Sequence, residues 1–524
     1  MFTVSLRRLA VSLPCMMAVV CLAESMPVRA DDVPAATQAA VNDPGTAQGC
    51  KPGSAGEGFW QRLKESYQSH LAWDGPDPAA PPTMVVGGAE VPESNPPWPY
   101  STWNVGGSEA IGVDNLYSSA LMDALYCGSG GQKLKDSRFV IYGWIEPGGN
   151  LSTSRSKFND ATGTGGNYPA AYSYQPDTVQ LDQAAIYFER TPDEVQLDHV
   201  DWGFRITGLY GTDYKYTFAN GVLSNQYLNE EKSYGFDPVM YYLDFWLPHI
   251  AEGENIRVGR YISIPDIEAQ LAPNNLTYSH SLLYTFDPYT QTGIVSTTKL
   301  SQNWQIQAEL SAGNDVAPWI KSERHLTPAA CVIWTSDSGK DNIYPCMNGL
   351  NDSRWRWNNV QQAVVTWYHK FNSKWHTDTE FWYMWQSHTP NVDNPAGAAY
   401  ISQAYSYLKI GAPGGAQCNA AVAFCYSYEW AAINYVNYQI GPRDMVTFRS
   451  DFFNDATGQR SGFKTRYAEL DLSFTHWVGD VIELRPEIRF EHARDAQAYD
   501  NPTAMPGQGR NSQAMVAADA IFHF

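Results

Sequence analysis

The sequence predicts an all-β chain whose strands close into a transmembrane antiparallel barrel, preceded by a proline-rich extension with one short helix. Three observations lead there. From residue 137 onward, segments of about ten residues alternate apolar and polar side chains. The connections between these segments alternate short and long. Aromatic residues make up 14% of the 524 residues and charged residues only 17%, against ~25% charged in soluble domains. Tyr and Trp gather at segment ends, as in 381–385 and 426–430, the pattern of aromatic girdles at two membrane interfaces. The same aromatics could instead fill the core of a soluble sandwich.

The clearest strand is 481–491. Ile482, Leu484, Pro486, Ile488 and Phe490 fall on one face; Glu483, Arg485, Glu487, Arg489 and Glu491 fall on the other. Period two is the strand repeat, and five ionisable groups opposite five apolar ones require one wet face. The other predicted strands are 137–146, 181–190, 200–211, 237–247, 254–264, 292–301, 303–313, 357–371, 374–387, 424–440, 443–453, 463–477 and 511–524.

Short connections lie at 191–199, 248–253, Gln302, 372–373, 441–442 and 478–479. Long ones lie at 147–180, 212–236, 314–356, 388–423, 454–462 and 493–510. Outer-membrane barrels alternate in this way, with short periplasmic turns and long outer loops. Residues 278–286 resemble a further strand, but a strand there would put 314–356 on the short-turn side. Taking 265–291 as one connection restores the alternation and makes it the third outer loop, a candidate to fold into the lumen. Fourteen strands follow; sixteen is the alternative if 265–291 holds a true hairpin. The last strand ends on Phe524, a terminal aromatic of the kind that barrel-insertion machinery reads.

Residues 1–30 read as a secretory signal. Arg7 and Arg8 precede an apolar run at 9–23, and Val28-Arg29-Ala30 is a small-x-small cleavage site. The run is short of the ~20 residues of a spanning helix. Cleavage removes three positive charges and one negative, so the formal charge of −20 becomes −22. Residues 31–99 form a Pro-rich periplasmic leader, within which 57–72 has Phe59, Leu63, Tyr67 and Leu71 at helical spacing. Residues 100–136 connect the leader to the barrel at 137–524. Six cysteines remain after export, an even number that points to disulfides. Cys331 with Cys346 and Cys418 with Cys425 are the economical local pairs, each stapling a long outer loop; Cys50 with Cys127 is the remainder.

The net charge excludes a nucleic-acid binder, because phosphate backbones require Lys and Arg. The mean hydropathy of −0.38 excludes a helical membrane bundle. No Gly-x-Ser-x-Gly, P-loop, His-Glu-x-x-His or Rossmann signature occurs, so neither an enzyme nor a cofactor is predicted. His369, His376 and His388, near Asp378 and Glu380, have no nucleophilic Ser marked beside them and read as wall residues. Phe-Asn-Asp-Ala-Thr-Gly occurs at 158–163 and 453–458, a turn-forming sequence without the oxygen-ligand series of an EF-hand.

Several ordered motifs resemble the β-barrel porins of the OmpL-like group. They are Val258-Gly259-Arg260-Tyr261-Ile262-Ser263-Ile264-Pro265, then Glu268, Asn275, Tyr278-Ser279-His280-Ser281, Pro288 and Thr292-Gly293. Tyr142-Gly143-Trp144-Ile145-Glu146, Tyr187-Phe188-Glu189-Arg190 and Gly458-Gln459-Arg460-Ser461-Gly462 are similar too. The resemblance covers 137–524 and implies an outer-membrane, porin-like barrel; it supplies no substrate.

Strand parity names the lumen candidates: Arg205, Asp244, Arg257, Glu309, Glu380, Arg449, Asp451, Glu469, Asp471, Glu483, Arg485, Glu487 and Arg489. Arg260, three positions from Arg257, cannot share its face on a regular strand and is expected near a bulge or against the 265–291 loop. That loop offers Asp266, Glu268, Asn274, Asn275 and His280 as a constriction facing wall arginines. Two readings of the charged rows stand: a transverse field across hydrated space, or a salt-bridged structural network, which a narrow barrel favours. The expected activity is passive diffusion of small hydrophilic solutes or ions across an outer membrane. The alternatives are a non-conducting surface barrel with binding loops and a secreted soluble β-rich carbohydrate-binding protein.

Overall fold

A computed structural model describes residues 56–74, 111–112, 119–160, 163–170, 172–264, 266–404, 414–502 and 507–524. The predicted signal, most of the leader and Cys50 lie outside these residues.

Sixteen antiparallel strands close into one barrel. In chain order they are β1 Phe139–Ser152, β2 Thr178–Arg190, β3 Asp201–Gly211, β4 Gly235–Leu247, β5 Glu254–Ile262, β6 Thr290–Lys299, β7 Trp304–Asn314 and β8 Thr327–Thr335. They continue with β9 Asp341–Asn348, β10 Gln361–Lys370, β11 Trp375–Pro390, β12 Phe424–Gly441, β13 Asp444–Asp455, β14 Thr465–Val478, β15 Ile482–Ala493 and β16 Ser512–His523. Each strand pairs with its chain neighbours, and β1 pairs with β16 in the register Trp144↔His523. Beyond β16, Gly143 N donates to Phe524 O at 3.1 Å and Phe524 N to Gly143 O at 2.9 Å. Closure leaves no unpaired edge, as a sheet in lipid requires.

The strand number is sixteen, not fourteen, and the extra pair is not in 265–291. Residues 263–289 form one connection holding only the helical turns Ala272–Asn274 and Leu282–Thr285. The additional hairpin is β8–β9, inside what the sequence presents as the long loop 314–356. Cys331 and Cys346 are register partners across that hairpin and form a disulfide; they join adjacent wall strands rather than staple a loop. Cys418–Cys425 is the second disulfide and ties the loop after β11 to the start of β12. Cys127 is disulfide-bonded as well.

With sixteen strands the short turns all fall at one end, the turn end, and the long connections at the other, the loop end. Outward positions carry an aliphatic belt, including Ile206, Leu243, Ile294, Leu310, Leu472, Ile488 and Val516, all exposed. Exposed Trp202, Trp304, Trp375 and Phe522 flank it toward the turn end, and Tyr210, Phe236, Tyr426 and Phe490 toward the loop end. A soluble sandwich would bury these rings; their outward exposure in two bands suits lipid interfaces.

Among the described residues, three helices precede the barrel: α1 Phe59–Leu71, α2 Ala120–Tyr126 and α3 Gly131–Asp136. Ser119 caps α2 by accepting from Met122 N at 3.2 Å. Met122 is fully buried, and its sulfur accepts from Ile141 N of β1 at 3.3 Å.

The belt predicts a position-dependent cost. Leu472 lies at mid-strand between Phe448 and Ile488. Leu472→Arg is expected to lower the unfolding free energy by about 2–4 kcal/mol, measured by urea unfolding in lipid vesicles.

Candidate functional site: the lumen and its folded-in loop

Alternation along β13–β16 and β1 turns one row of ionisable side chains into the barrel. Arg449 donates through Nε to Glu469 Oε1 at 2.6 Å, and Arg489 Nη2 lies 2.7 Å from both Glu469 Oε2 and Glu491 Oε1. Arg485 pairs with Asp519 and reaches Glu146 at 3.4 Å. None of the three arginine side chains is solvent-accessible. Three buried guanidiniums are tolerable because each faces carboxylates and spends its remaining N–H groups on acceptors.

Those remaining N–H groups hold the 263–289 connection inside the barrel. Arg449 Nη1 donates to Thr277 Oγ1 at 2.7 Å and to Ser279 O, and Nη2 to Ser279 Oγ at 3.0 Å. Arg485 Nη1 donates to Ala272 O at 2.8 Å and Asn275 O at 2.9 Å, and Arg489 Nη1 to His280 O at 2.6 Å. Wall carboxylates take the loop's N–H groups. Asp451 accepts from Leu282 N at 2.6 Å, Glu487 from Ser279 N at 3.0 Å and Glu380 from Ile267 N at 2.9 Å. Within the loop, Asn275 binds Ala269 through both its N–H and its carbonyl. Tyr278 OH donates to Asp182 at 2.9 Å. A Cβ on Gly148 would stand 2.6 Å from that hydroxyl, so glycine is what lets the loop reach the wall.

The opposite wall is less tightly filled. Arg257 makes a bidentate pair with Asp244, both contacts 2.9 Å, and lies 3.9 Å over the Tyr242 ring. Arg205 pairs with Glu189 at 2.7 Å. The Arg257 side chain keeps 17% of its exposure, against none for the arginines under the loop. Water therefore reaches the wall near β3–β5 and not the β13–β15 ladder.

All thirteen parity candidates sit on inward-facing positions, and the loop residues Asp266, Glu268, Asn275 and His280 are buried among them. Glu268 faces Arg449 at 3.6 Å and accepts from Tyr435 OH. Asp266 meets no arginine; it faces Asp287 and Glu380. Arg260 lies beside Gly259, whose φ is +146°, and is fully buried against Asp237, with Nη2 also on Thr290 Oγ1 at 3.3 Å. His369 pairs with Asp341, and His376 stands 4.0 Å from Asp378. In the repeated turn sequence, Asp455 accepts from Gln459 N, Arg460 N and Ser461 N, while Asp160 pairs with Lys215. Glu146, Glu189, Glu491 and Asp519 also face inward, although they are not among the predicted lumen candidates; strand parity applies to them equally. Asp287 carried no such signal, because it lies in the loop.

The turn end is covered as well. The His70 ring on α1 bridges Asp480 of the β14–β15 turn at 2.8 Å and Asp123 of α2 at 3.1 Å. Gly479 has φ +63°, and a Cβ there would lie 2.2 Å from His70 O, so the turn admits the helix only with glycine. Gly112 N donates to Glu194 Oε2 at 2.9 Å, and Glu194 Oε1 accepts from Asn255 on β5.

A closed, even-stranded barrel with an apolar outer belt, an ionisable lumen and an inward-folded third loop is a porin-type barrel. A family model described as "Putative beta-barrel porin-2, OmpL-like" matches residues 138–524, and the chain belongs to that family. No curated protein matches. Solved structures that align include an anion-selective porin from Comamonas acidovorans, at 9% identity and a TM-score of 0.43, covering 74% of this chain and 99% of that one. OmpT of Vibrio cholerae aligns at 6% identity and a TM-score of 0.40, covering 74% and 97%. A mutant of Rh. blastica porin aligns at 10% and 0.39, covering 74% and 100%.

Two predictions follow from the lumen and turn-end contacts. Arg449→Ala leaves Glu469 without its 2.6 Å partner and frees Thr277 and Ser279. It is expected to cost about 3–5 kcal/mol and to speed amide exchange across 277–283, whereas Arg466→Ala at an exposed pair leaves both unchanged. At His70, burial alone would lower the pKa, but hydrogen bonds to Asp123 and Asp480 outweigh it and push it from 6.5 up to about 9. The resulting hold on α1 is full below 6.5 and is lost as pH rises through about 9. Exchange protection of 59–71 is expected to fall across that window, and His70→Gln to abolish the dependence.

Proposed function

We propose that this protein is a narrow outer-membrane channel through which small hydrophilic solutes and ions diffuse passively. The observation that carries the reading is the 263–289 connection, folded into a closed barrel and held by wall arginines and carboxylates. The route runs along the β3–β5 wall, past Arg205, Asp244 and Arg257, with Glu309 further round. The ladder of Arg449, Asp451, Glu469, Asp471, Glu483, Arg485, Glu487 and Arg489 acts as the anchor of the constriction rather than as its wet surface. Because Glu146, Glu189, Asp244, Glu469, Glu491 and Asp519 face arginines, the overall negative charge is expected to overstate the ion preference of the lumen.

In the same proposal the signal is cleaved near Ala30, residues 31–99 are a periplasmic leader, and 100–136 connect it to the barrel. The turn end then faces the periplasm, where α1 and α2 partly cover the mouth. The C-terminal strand ending in Phe524 engages the insertion machinery. A second reading, a non-conducting barrel whose long loops bind a ligand, is favoured by the inaccessibility of the ladder.

Planar-bilayer recording separates the two. The full chain is expected to give small, discrete steps. Replacing 266–288 by a short Gly-Ser link is expected to raise the unit conductance severalfold, with heat-modifiable mobility on gels showing that the barrel has formed. A silent wild-type protein that inserts, together with vesicles that do not swell in small sugars, would support the binding barrel instead.

A further inference from the structure

We propose that the root of the inward loop holds a calcium-class divalent cation between Asp266, Asp287 and Glu380. The three carboxylates come from three places: the two ends of the 263–289 connection and the middle of β11. Each offers an oxygen within 4.8 Å of the others, and all three residues are buried.

The way each carboxylate is held is what points to an ion. Glu380 accepts from Ile267 N through Oε2 at 2.9 Å, while its Oε1 is buried with no hydrogen-bond partner. Asp287 accepts from Gln362 Nε2 through Oδ1 at 2.5 Å, while its Oδ2 is likewise buried and unpartnered. Asp266 is fixed through Oδ1 by Glu268 N at 3.0 Å. Glu380 and Asp287 thus have one oxygen fixed by an N–H and the other left for a ligand. Glu380 is wholly inaccessible and comes from a different element than the other two, so the pocket is assembled across the lumen and not within one acidic run.

The cluster needs neutralising, by shared protons or by a cation. Among the described residues no lysine, arginine or histidine forms an ion pair with any of the three. Arg460 comes nearest in sequence contact, donating to Phe286 O beside Asp287. Three close, buried carboxylates repel and cannot stay ionised unpaired. A doubly charged ion neutralises two of them, and Arg460 stands near the remaining charge. An all-oxygen, carboxylate-rich set suits a hard cation, and calcium tolerates irregular geometry completed by carbonyls and water. Such an ion would tie both ends of the loop to β11, two strands from the start of the arginine ladder on β13. Binding does not depend on whether the lumen conducts, so the failure of either proposal leaves the other standing.

The test uses the full chain, refolded in detergent and stripped with chelator. Terbium luminescence sensitised by nearby tyrosines such as Tyr284 and Tyr289, and calcium calorimetry, should report about one ion per chain, displaced by calcium. Asp287→Asn and Glu380→Gln should each weaken binding roughly tenfold or more while retaining heat-modifiable mobility. Calcium should raise the unfolding temperature of the wild type and not of the variants. The proposal is overturned if the wild type binds no ion at millimolar calcium and neutral pH. It is equally overturned if both folded variants bind as the wild type does, or if an infrared band of protonated carboxyls, lost in Glu380→Gln, persists in saturating calcium. If one variant does not fold, the other carries the comparison, and the wild-type isotherm alone can still refute the site.

Discussion

Arg449, Arg485 and Arg489 govern the interior because each is shared between a wall carboxylate and the backbone of the inward loop. A loop carried into a barrel brings peptide groups that would otherwise be unsatisfied, at a cost of several kcal/mol each in a dry setting. Guanidiniums suit this task because their fixed fork serves a carboxylate on one side and carbonyls on the other. The carboxylates Asp451, Glu487 and Glu380 complete it by accepting the loop's N–H groups. The charged rows are therefore, on this side of the lumen, the salt-bridged structural network rather than a field across water. On the β3–β5 side the arginines are salt-bridged as well, but the Arg257–Asp244 pair stays partly exposed.

The outer face answers to a different constraint. Lipid supplies no hydrogen bonds, so the backbone must be paired by closure, and every second side chain must be apolar. That rule fixes parity along each strand, and parity in turn delivers the arginines and acids to the lumen. One-residue slips would exchange the two faces. Four of the five observed register shifts lie toward the loop-end portions of their strands, at Glu146/Pro147, Thr207/Leu209, Gln291/Gly293 and Gln386/Thr389, and the fifth lies at the turn end of β12, at Gln439/Gly441. Arg449, Asp471, Arg485 and Glu487 lie on strands where no such shift intervenes.

This explains what could be read from residues alone. The faces of β13–β15 were legible because charge and apolarity alternate there without exception. β8 and β9 were not. Thr327, Ala329, Cys331, Ile333 and Thr335 point inward and Pro328, Ala330, Val332 and Trp334 outward, so the two faces scarcely differ in polarity. Pro328, Pro345 and the Ser-Gly-bearing turn then read as loop. The spacing of Cys331 and Cys346 was compatible with a hairpin, yet a disulfide constrains proximity and not secondary structure. The even strand number allowed a sixteen-strand alternative, but placed its extra pair in 265–291, where alternation at 278–286 mimics a strand. Those residues instead hold the helical turn Leu282–Thr285 and are buried throughout, so neither face meets solvent.

The same distinction separates total charge from pore charge. Cleavage of the predicted signal would leave a strongly acidic chain, which taken as a whole would favour cations. Inside the barrel, however, Glu469, Glu491, Asp519, Glu146, Asp244 and Glu189 each face an arginine, and a paired acid contributes little net potential at a distance. Others, among them Glu309, Asp451, Asp471 and Glu487, have no arginine or lysine at ion-pair distance among the described residues, and Asp266, Asp287 and Glu380 bring three such acids within 4.8 Å of one another. The charge felt at any point of the lumen therefore depends on which acids are paired there, and a chain-wide count does not separate the acids held by Arg449, Arg485 and Arg489 from those outside such pairs.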